Sequence, residues 1–367
     1  MTNDTQQEVS PTRLRTFDFL RGLAILGVIV VHTSQRFPSQ ISTIDFVAGL
    51  GTFGVQLFYF ISALTMCYVW KLREGENNPV KNFYIRRFFR IAPLFWIAIP
   101  VYLLINGYEE NYWAPEGIGA LQIFLTATFL HGFWPDSINS VVPGGWTIAV
   151  EMTFYALFPF FILKIKRRSV YLLLAFITWS FNVFIFKDFA LNFLSNHYDT
   201  SSTTIVRDFL NLNFISQAPI FLLGCYLYFT LNAHPKKTEA YIFFAWILFG
   251  AGLRFFFNIK GFGFLVISIA LGMFVYVCIK ANIRLKTIEN LGKSSYAIYL
   301  VHFLVLHYLQ KIIPLKTGLS ALLVGITLTT LISYFLAFII FKFIESNIQK
   351  FVDLITKPKP TQQPLPT

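Results

Sequence analysis

Ionisable side chains inside apolar segments are costly in lipid, so each one marks either a functional site or a pairing between helices. The first apolar run begins near Phe17 and holds three of them, Asp18, Arg21 and His32. At about 100° per residue all three fall on one narrow stripe of a helix and face a single partner surface. The step from Arg21 to His32 is worth about 16 Å of helical rise, so a cation near one membrane face is paired with an imidazole toward the other. An imidazole titrates near operating pH and suits removal of a proton from an attacking hydroxyl. The alternative for His32 is a hydrogen bond to a neighbouring helix. Further along, Trp146 opens a run that reaches Glu151, about 9 Å deep and close to the depth expected of His32. A carboxylate there would hold the imidazole tautomer and stabilise the imidazolium, or it would pair structurally with Arg or Lys. Trp146 and Glu151, five residues apart, point to different faces and need share no role.

Arg86, Arg87 and Arg90 stand at the mouth of the third apolar run, with Arg86 and Arg90 on one face at i, i+4. Guanidinium forks match phosphate oxygens, and the same charges would equally set membrane topology. Ser295, Tyr299 and His302 recur at i, i+4 and i+7, a polar stripe that lines a cavity or binds helix to helix. Ser62 and Gln56 are polar points in an aromatic run, Gln56 reading as packing. His131, His197, His234 and His307 receive no role.

The elements that must position these groups follow from composition. The chain has 367 residues, 55% hydrophobic and 13% charged, more apolar side chain than one soluble core normally buries. Apolar segments lie at 17–35, 46–70, 88–106, 119–133, 145–164, 169–187, 212–231, 240–257, 261–281, 294–312 and 318–343. Lys and Arg collect on the cytoplasmic side. Lys71 to Arg90 mark one inside loop and Lys164 to Arg168 the next, so an even number of crossings separates them. The short 119–133 segment, flanked by Glu109, Glu110, Glu116 and Asp136, therefore dips in without crossing. Lys236 and Lys237, then Lys280, Arg284, Lys286 and Lys293, and finally Lys350, Lys357 and Lys359 continue the inside series. An all-α integral membrane protein is predicted, a bundle of about ten transmembrane helices with one re-entrant or interfacial segment and both termini cytoplasmic. Its parts are a cytoplasmic arm over 1–16, a membrane domain over 17–346 and a partly disordered cytoplasmic tail over 347–367.

The formal charge of +12 is spread in short pieces between apolar runs, unlike the clustered basic face of a nucleic-acid binder. Cys67, Cys225 and Cys278 lack the spacing of a metal site or disulfide framework. Walker, dinucleotide and HExxH motifs are missing from the sequence, so neither ATP hydrolysis nor metal chemistry is expected.

Six stretches in order carry a resemblance: "RTFDFLRGLAILGVIVVH", "GVQLFYFISAL", "YIRRFFRIAPLFW", "WTIAVEMTFYALFP", "LGKSSYAIYLVHF" and "FKFIES". The chain resembles the membrane-bound acyltransferase 3 family, which O-acetylates surface polysaccharides and related molecules. The resemblance implies ten spans, no tightly bound cofactor, and acetyl-CoA or another acyl-CoA as a cytoplasmic co-substrate. It implies His32 as the catalytic residue, with Arg21 and the arginine cluster as donor contacts. Trp146 and Glu151 match the family's Trp-to-Glu pattern and His302 its late His. The family's Ser-Gly pair in the second span reads Ser62-Ala63 here, where an added methyl would narrow the donor pocket. No soluble extension of the kind some members carry is read, so hand-off is expected through the membrane domain alone.

The mechanism expected from these residues is direct transfer. Coenzyme A phosphates rest on Arg21, Arg86 and Arg90, the thioester reaches into the bundle, and His32, oriented by Glu151, deprotonates an acceptor hydroxyl. Asp18, Trp146, Tyr299 and His302 line the pocket and Ser62 contributes to donor binding. An acyl-enzyme on Ser62 or His32 stays open. Partners are acyl-CoA, a glycan or lipid-linked saccharide and the lipid bilayer, with no nucleic acid, and the location is the bacterial inner membrane. Acceptor contacts are expected from loops 107–118 and 188–211. The rivals are a transporter or proton-coupled permease, and an inactive acyltransferase-like scaffold.

Overall fold

The structure is a computed structural model that describes residues 11–195, 198, 203–231, 262–313 and 317–356. In order it runs α1 (Pro11–Arg36), α2 (Ser42–Gly49), α3 (Gly54–Arg73), α4 (Pro79–Asn106), α5 (Ala120–Ala127), α6 (Trp146–Lys164), α7 (Arg168–Phe181) and α8 (Lys187–Ser195). It continues with α9 (Thr203–Leu212), α10 (Phe214–Leu231), α11 (Phe262–Lys280), α12 (Lys286–Lys293), α13 (Ser295–Ile312), α14 (Leu319–Ile340) and α15 (Ser346–Thr356). Short 3₁₀ turns and two π-helical stretches, Asn182–Phe186 and Phe341–Glu345, join some of them. Among the described residues no strand forms beyond an isolated bridge between Asn111 and Ala114.

Eight helical stretches among the described residues are long and apolar enough to cross a membrane. The chain is a multi-pass integral membrane protein. Of the ten predicted spans, 240–257 lies outside the described residues, as do Lys236 and Lys237. The 294–312 segment forms α13 but is not among the eight, because Tyr296, Tyr299, His302, His307, Tyr308, Gln310 and Lys311 dilute its hydropathy. The 119–133 segment supplies α5, whose eight residues rise about 12 Å, far short of a hydrocarbon core. The chain then turns at Phe129, φ +62°, and passes through the His131–Phe133 turn toward α6. Within the predicted tail, residues 346–356 form α15.

Helix α1 is the hub, packing on α3, α12, α13 and α14. It starts at Pro11, tolerated in a first turn, and ends at Arg36 before Pro38. Apolar burial alone does not drive helices together in lipid, so close backbone packing and hydrogen bonds between helices must do it. Both are present. A Cβ at Gly292 of α12 would sit 1.7 Å from the Asp18 carbonyl oxygen and one at Gly22 of α1 would sit 2.0 Å from the Ile288 carbonyl oxygen. Only glycines permit that approach. Beside it Arg15 pairs with the buried Glu289 at 2.9 Å. Tyr102 donates to the Leu300 carbonyl at 2.6 Å and Tyr296 to the Ile91 carbonyl at 2.8 Å, which stitches α4 to α13. An aromatic core containing Phe60, Phe95, Phe154, Phe158 and Phe221, all buried, fills the centre.

Candidate functional site

Helices α1, α3, α4, α6 and α13 enclose a narrow chamber of about 70 Å³. Its polar lining includes Arg21, Ser62, Arg87, Arg90, Glu151, Tyr155 and Tyr299. Glu151 Oε1 accepts from Ser62 Oγ at 2.6 Å and from the Tyr155 hydroxyl at 2.5 Å. Tyr155 lies one helical turn beyond Glu151, so α6 presents both on one face. Arg87 is 8% exposed, and its guanidinium lies 5.5 Å from the Tyr155 ring centre and 5.7 Å from that of Phe83. Arg21 donates to Asp18 at 3.2 Å and to Thr65 Oγ1 at 3.0 Å.

The chamber adjoins a vestibule of about 620 Å³, with Arg21, Arg87, Arg90 and Tyr296 in the walls of both. Asp18 lines the vestibule. Arg86 and Arg90, both expected as donor contacts, line the vestibule with different partners. Arg86 donates to Glu76 Oε2 at 2.6 Å and Arg73 to Glu76 Oε1 at 3.0 Å, so Glu76 draws off much of that charge. Burial pushes the Glu76 carboxyl up, but hydrogen bonds from Arg86 and Asn82 outweigh it and hold the group below its ordinary value. Arg87 and Arg90, by contrast, make no hydrogen bond to a carboxylate among the described residues.

At the far end of the bundle His32 and His302 face each other, ring centres 5.4 Å apart, with Phe303 against both at 4.5 and 4.1 Å. Glu151 does not orient His32: its near oxygen is committed to Ser62 and Tyr155, and His32 Nδ1 bonds Gln35 Oε1 at 3.0 Å. The similar depth read from helical rise did not bring the two together: Glu151 lies in the chamber wall and His32 at the far end of the bundle. With Gln35 Oε1 accepting, His32 carries its proton on Nδ1 and its lone pair on Nε2. His302, fully buried, bonds the Tyr299 carbonyl through Nδ1 at 2.6 Å and leaves Nε2 without a partner. Tyr299 bridges the two ends. It lines the chamber, donates to the Gly144 carbonyl and accepts from Thr147, each at 3.0 Å, and its ring lies 5.5 Å from that of His302. Gly144 has φ +77°, and a Cβ there would meet the Tyr299 hydroxyl at 2.7 Å, so glycine is required on both counts.

Residues 14–338 match the family described as "Acyltransferase domain", the acyltransferase 3 family. The chain belongs to that family. Its activity class is acyl transfer, and the matched residues run from α1 to near the end of α14, so they hold the chamber and the histidine pair. No curated protein and no solved structure gives a significant match.

Against this acyltransferase 3 framework the remaining sequence expectations sort by geometry. Trp146 is not part of the chamber wall; its ring meets Tyr59 edge to face at 6.3 Å. Ser295, Tyr299 and His302 do form one stripe, and Ser295 lines the chamber. Gln56 bonds Gln217 of α10 at 3.4 Å. Contrary to the expectation that its methyl narrows a pocket, Ala63 lines neither cavity. It packs on α10, where a Cβ added to Gly224 would lie 2.9 Å from it. Unforeseen were Tyr155, Thr65, Gln35 and Glu76. Tyr155 and Gln35 had a visible signal, the i, i+4 spacing from Glu151 and the i, i+3 spacing from His32. His131, given no role, is buried and bonds the Gly145 carbonyl at 2.9 Å through Nε2, anchoring the start of α6. Among the described residues no cluster of His, Cys, Asp and Glu could hold a metal ion.

Proposed function

We propose that the protein moves an acyl group, acetyl first among candidates, from acyl-CoA in the vestibule to a hydroxyl of a glycan or lipid-linked saccharide at the histidine end. The observation that carries this is a pair of polar stations along the bundle, linked by Tyr299, which lines the chamber and sets its ring beside His302. Arg87 and Arg90, which bond no carboxylate among the described residues, stand at one end, and two imidazoles with free Nε2 atoms at the other. Guanidinium forks suit the donor's phosphates. The narrow chamber between suits a slender thioester-bearing arm, with the Ser62, Tyr155 and Thr147 hydroxyls along its walls.

His32 Nε2 takes the proton of the acceptor hydroxyl as its oxygen attacks the thioester carbonyl. The carbon–sulfur bond breaks, the His32 imidazolium returns the proton to the sulfur, and coenzyme A leaves as the thiol. Glu151 fixes Ser62 and Tyr155 in the chamber wall, and Gln35 fixes the His32 ring. The acceptor enters over the connection after α4, where Tyr112 donates to Asp208 at 2.6 Å and joins loop 107–118 to α9. Both termini and the vestibule lie on the cytoplasmic side of a bacterial inner membrane.

The test is release of free coenzyme A from acetyl-CoA by purified protein, with and without a crude envelope glycan fraction. Wild type releases coenzyme A only with the glycan, and His32→Ala loses at least a hundredfold in kcat. Equal release by His32→Ala would remove His32 from the chemistry. No release with any acyl-CoA, from folded protein, would remove the donor.

A further inference from the structure

Beyond residue 338, where the family match ends, the chain passes through Phe341–Glu345 into α15, which is docked firmly. Phe351 meets Phe89 of α4 edge to face, ring centres 5.5 Å apart, and Val352 is buried. The helix thereby becomes a wall of the vestibule, contributing Ile348, Gln349, Val352 and Asp353. That spacing is one helical face. Leu354, 76% exposed, points away from it.

This face differs chemically from the rest of the lining, which carries the cations Arg21, Arg73, Arg86, Arg87, Arg90 and Lys293 beside the carboxylates of Asp18 and Glu345. Ion pairs in the region join Arg86 and Arg73 to Glu76 and Arg21 to Asp18; Asp353 joins none. Among the described residues neither Gln349 nor Asp353 makes a hydrogen bond, so both keep acceptor capacity toward the cavity. A small anion would use only the cationic side and be repelled by Asp353. A hydrocarbon chain would use neither. A nucleotide uses both, its phosphates on guanidinium groups and its sugar hydroxyls and base amine on acceptors, with the flat base between aliphatic and aromatic side chains such as Val352 and Trp70.

We propose that the Ile348–Asp353 face of α15 binds the nucleoside of a nucleotide-bearing acyl donor, Gln349 and Asp353 accepting from its hydroxyl and amine groups. This rests on the acyl-CoA reading above and adds to it which part of the donor the chain recognises outside the family-matched residues.

Calorimetric titration of the purified full chain with coenzyme A and with phosphopantetheine, which lacks the nucleoside and the two phosphates attached to it, tests it, the variant's loss toward coenzyme A alone being the deciding readout. The double variant Gln349→Ala/Asp353→Ala is expected to bind coenzyme A roughly tenfold more weakly, as befits two lost hydrogen bonds, and to bind phosphopantetheine as wild type does. Leu354→Ala, on the opposite face, should change neither affinity. Equal weakening toward both ligands, or no weakening, overturns the nucleoside site. So does wild type binding phosphopantetheine as tightly as coenzyme A, an outcome that leaves the acyl-CoA donor standing. Wild type that binds neither ligand overturns both the donor and this site.

Discussion

A single carboxylate oxygen at Glu151 accepts two hydroxyls, one from α3 and one from its own helix. Replacing it with Ala leaves both donors stranded in a tight chamber, at a cost of about 1–3 kcal/mol for each buried group. Glu151→Ala should therefore lower the melting temperature in detergent, and Glu151→Gln, which keeps an acceptor oxygen, should restore most of it. An unchanged melting temperature for both would separate Glu151 from the wall. Gln35 has the opposite profile: it is exposed and touches one ring nitrogen. Gln35→Ala is expected to cut kcat about tenfold with KM and melting temperature unchanged. At Glu76 the sign of the pH effect follows from its lowered carboxyl. The bonds it accepts stabilise the fold above the ordinary value of 4.5 and are lost as pH falls through the lower folded-state value. Acid melts of wild type and Glu76→Gln should converge below that point, and a gap that persists there would assign the stabilisation elsewhere.

Among the elements, α1 is held by α12 through glycine on both sides. Gly292→Ala places a methyl where the Asp18 carbonyl stands, and overpacking of that kind costs about 1–3 kcal/mol or more. It also displaces Asp18, and with it the partner of Arg21. Gly263→Ala in α11, which meets nothing within 4 Å, gains about 0.5–1 kcal/mol of helix propensity instead. Melting temperatures of the two variants should move in opposite directions, with donor affinity falling only in Gly292→Ala.

At the scale of the molecule, the charge bias of the loops predicts that the arginine end faces the cytoplasm. Cysteine introduced at Glu110 should react with an impermeant maleimide added outside intact cells, and cysteine introduced at Lys164 only after the membrane is opened. Reaction of both from outside would invert the bundle. The path implied by the two cavities runs from α15 to the chamber, and the proposed acceptor needs its own access at the histidine end.

Periodicity and hydropathy in the sequence determined the helical class, most of the spans and the non-crossing of 119–133, because a bilayer demands apolar length and satisfied backbone whatever the partners. They also fixed the order of polar groups along α1 and α13, since rise and turn per residue are properties of the helix itself. Only the tertiary structure decided which helix faces which. It separated Glu151 from His32, gave Gln35 and His302 to His32, drew Arg86 to Glu76, turned Ala63 toward Gly224, and brought α15 across the vestibule. Azimuth and tilt arise from steric fit between neighbouring helices, and that fit belongs to pairs of distant segments, beyond the reach of any local pattern.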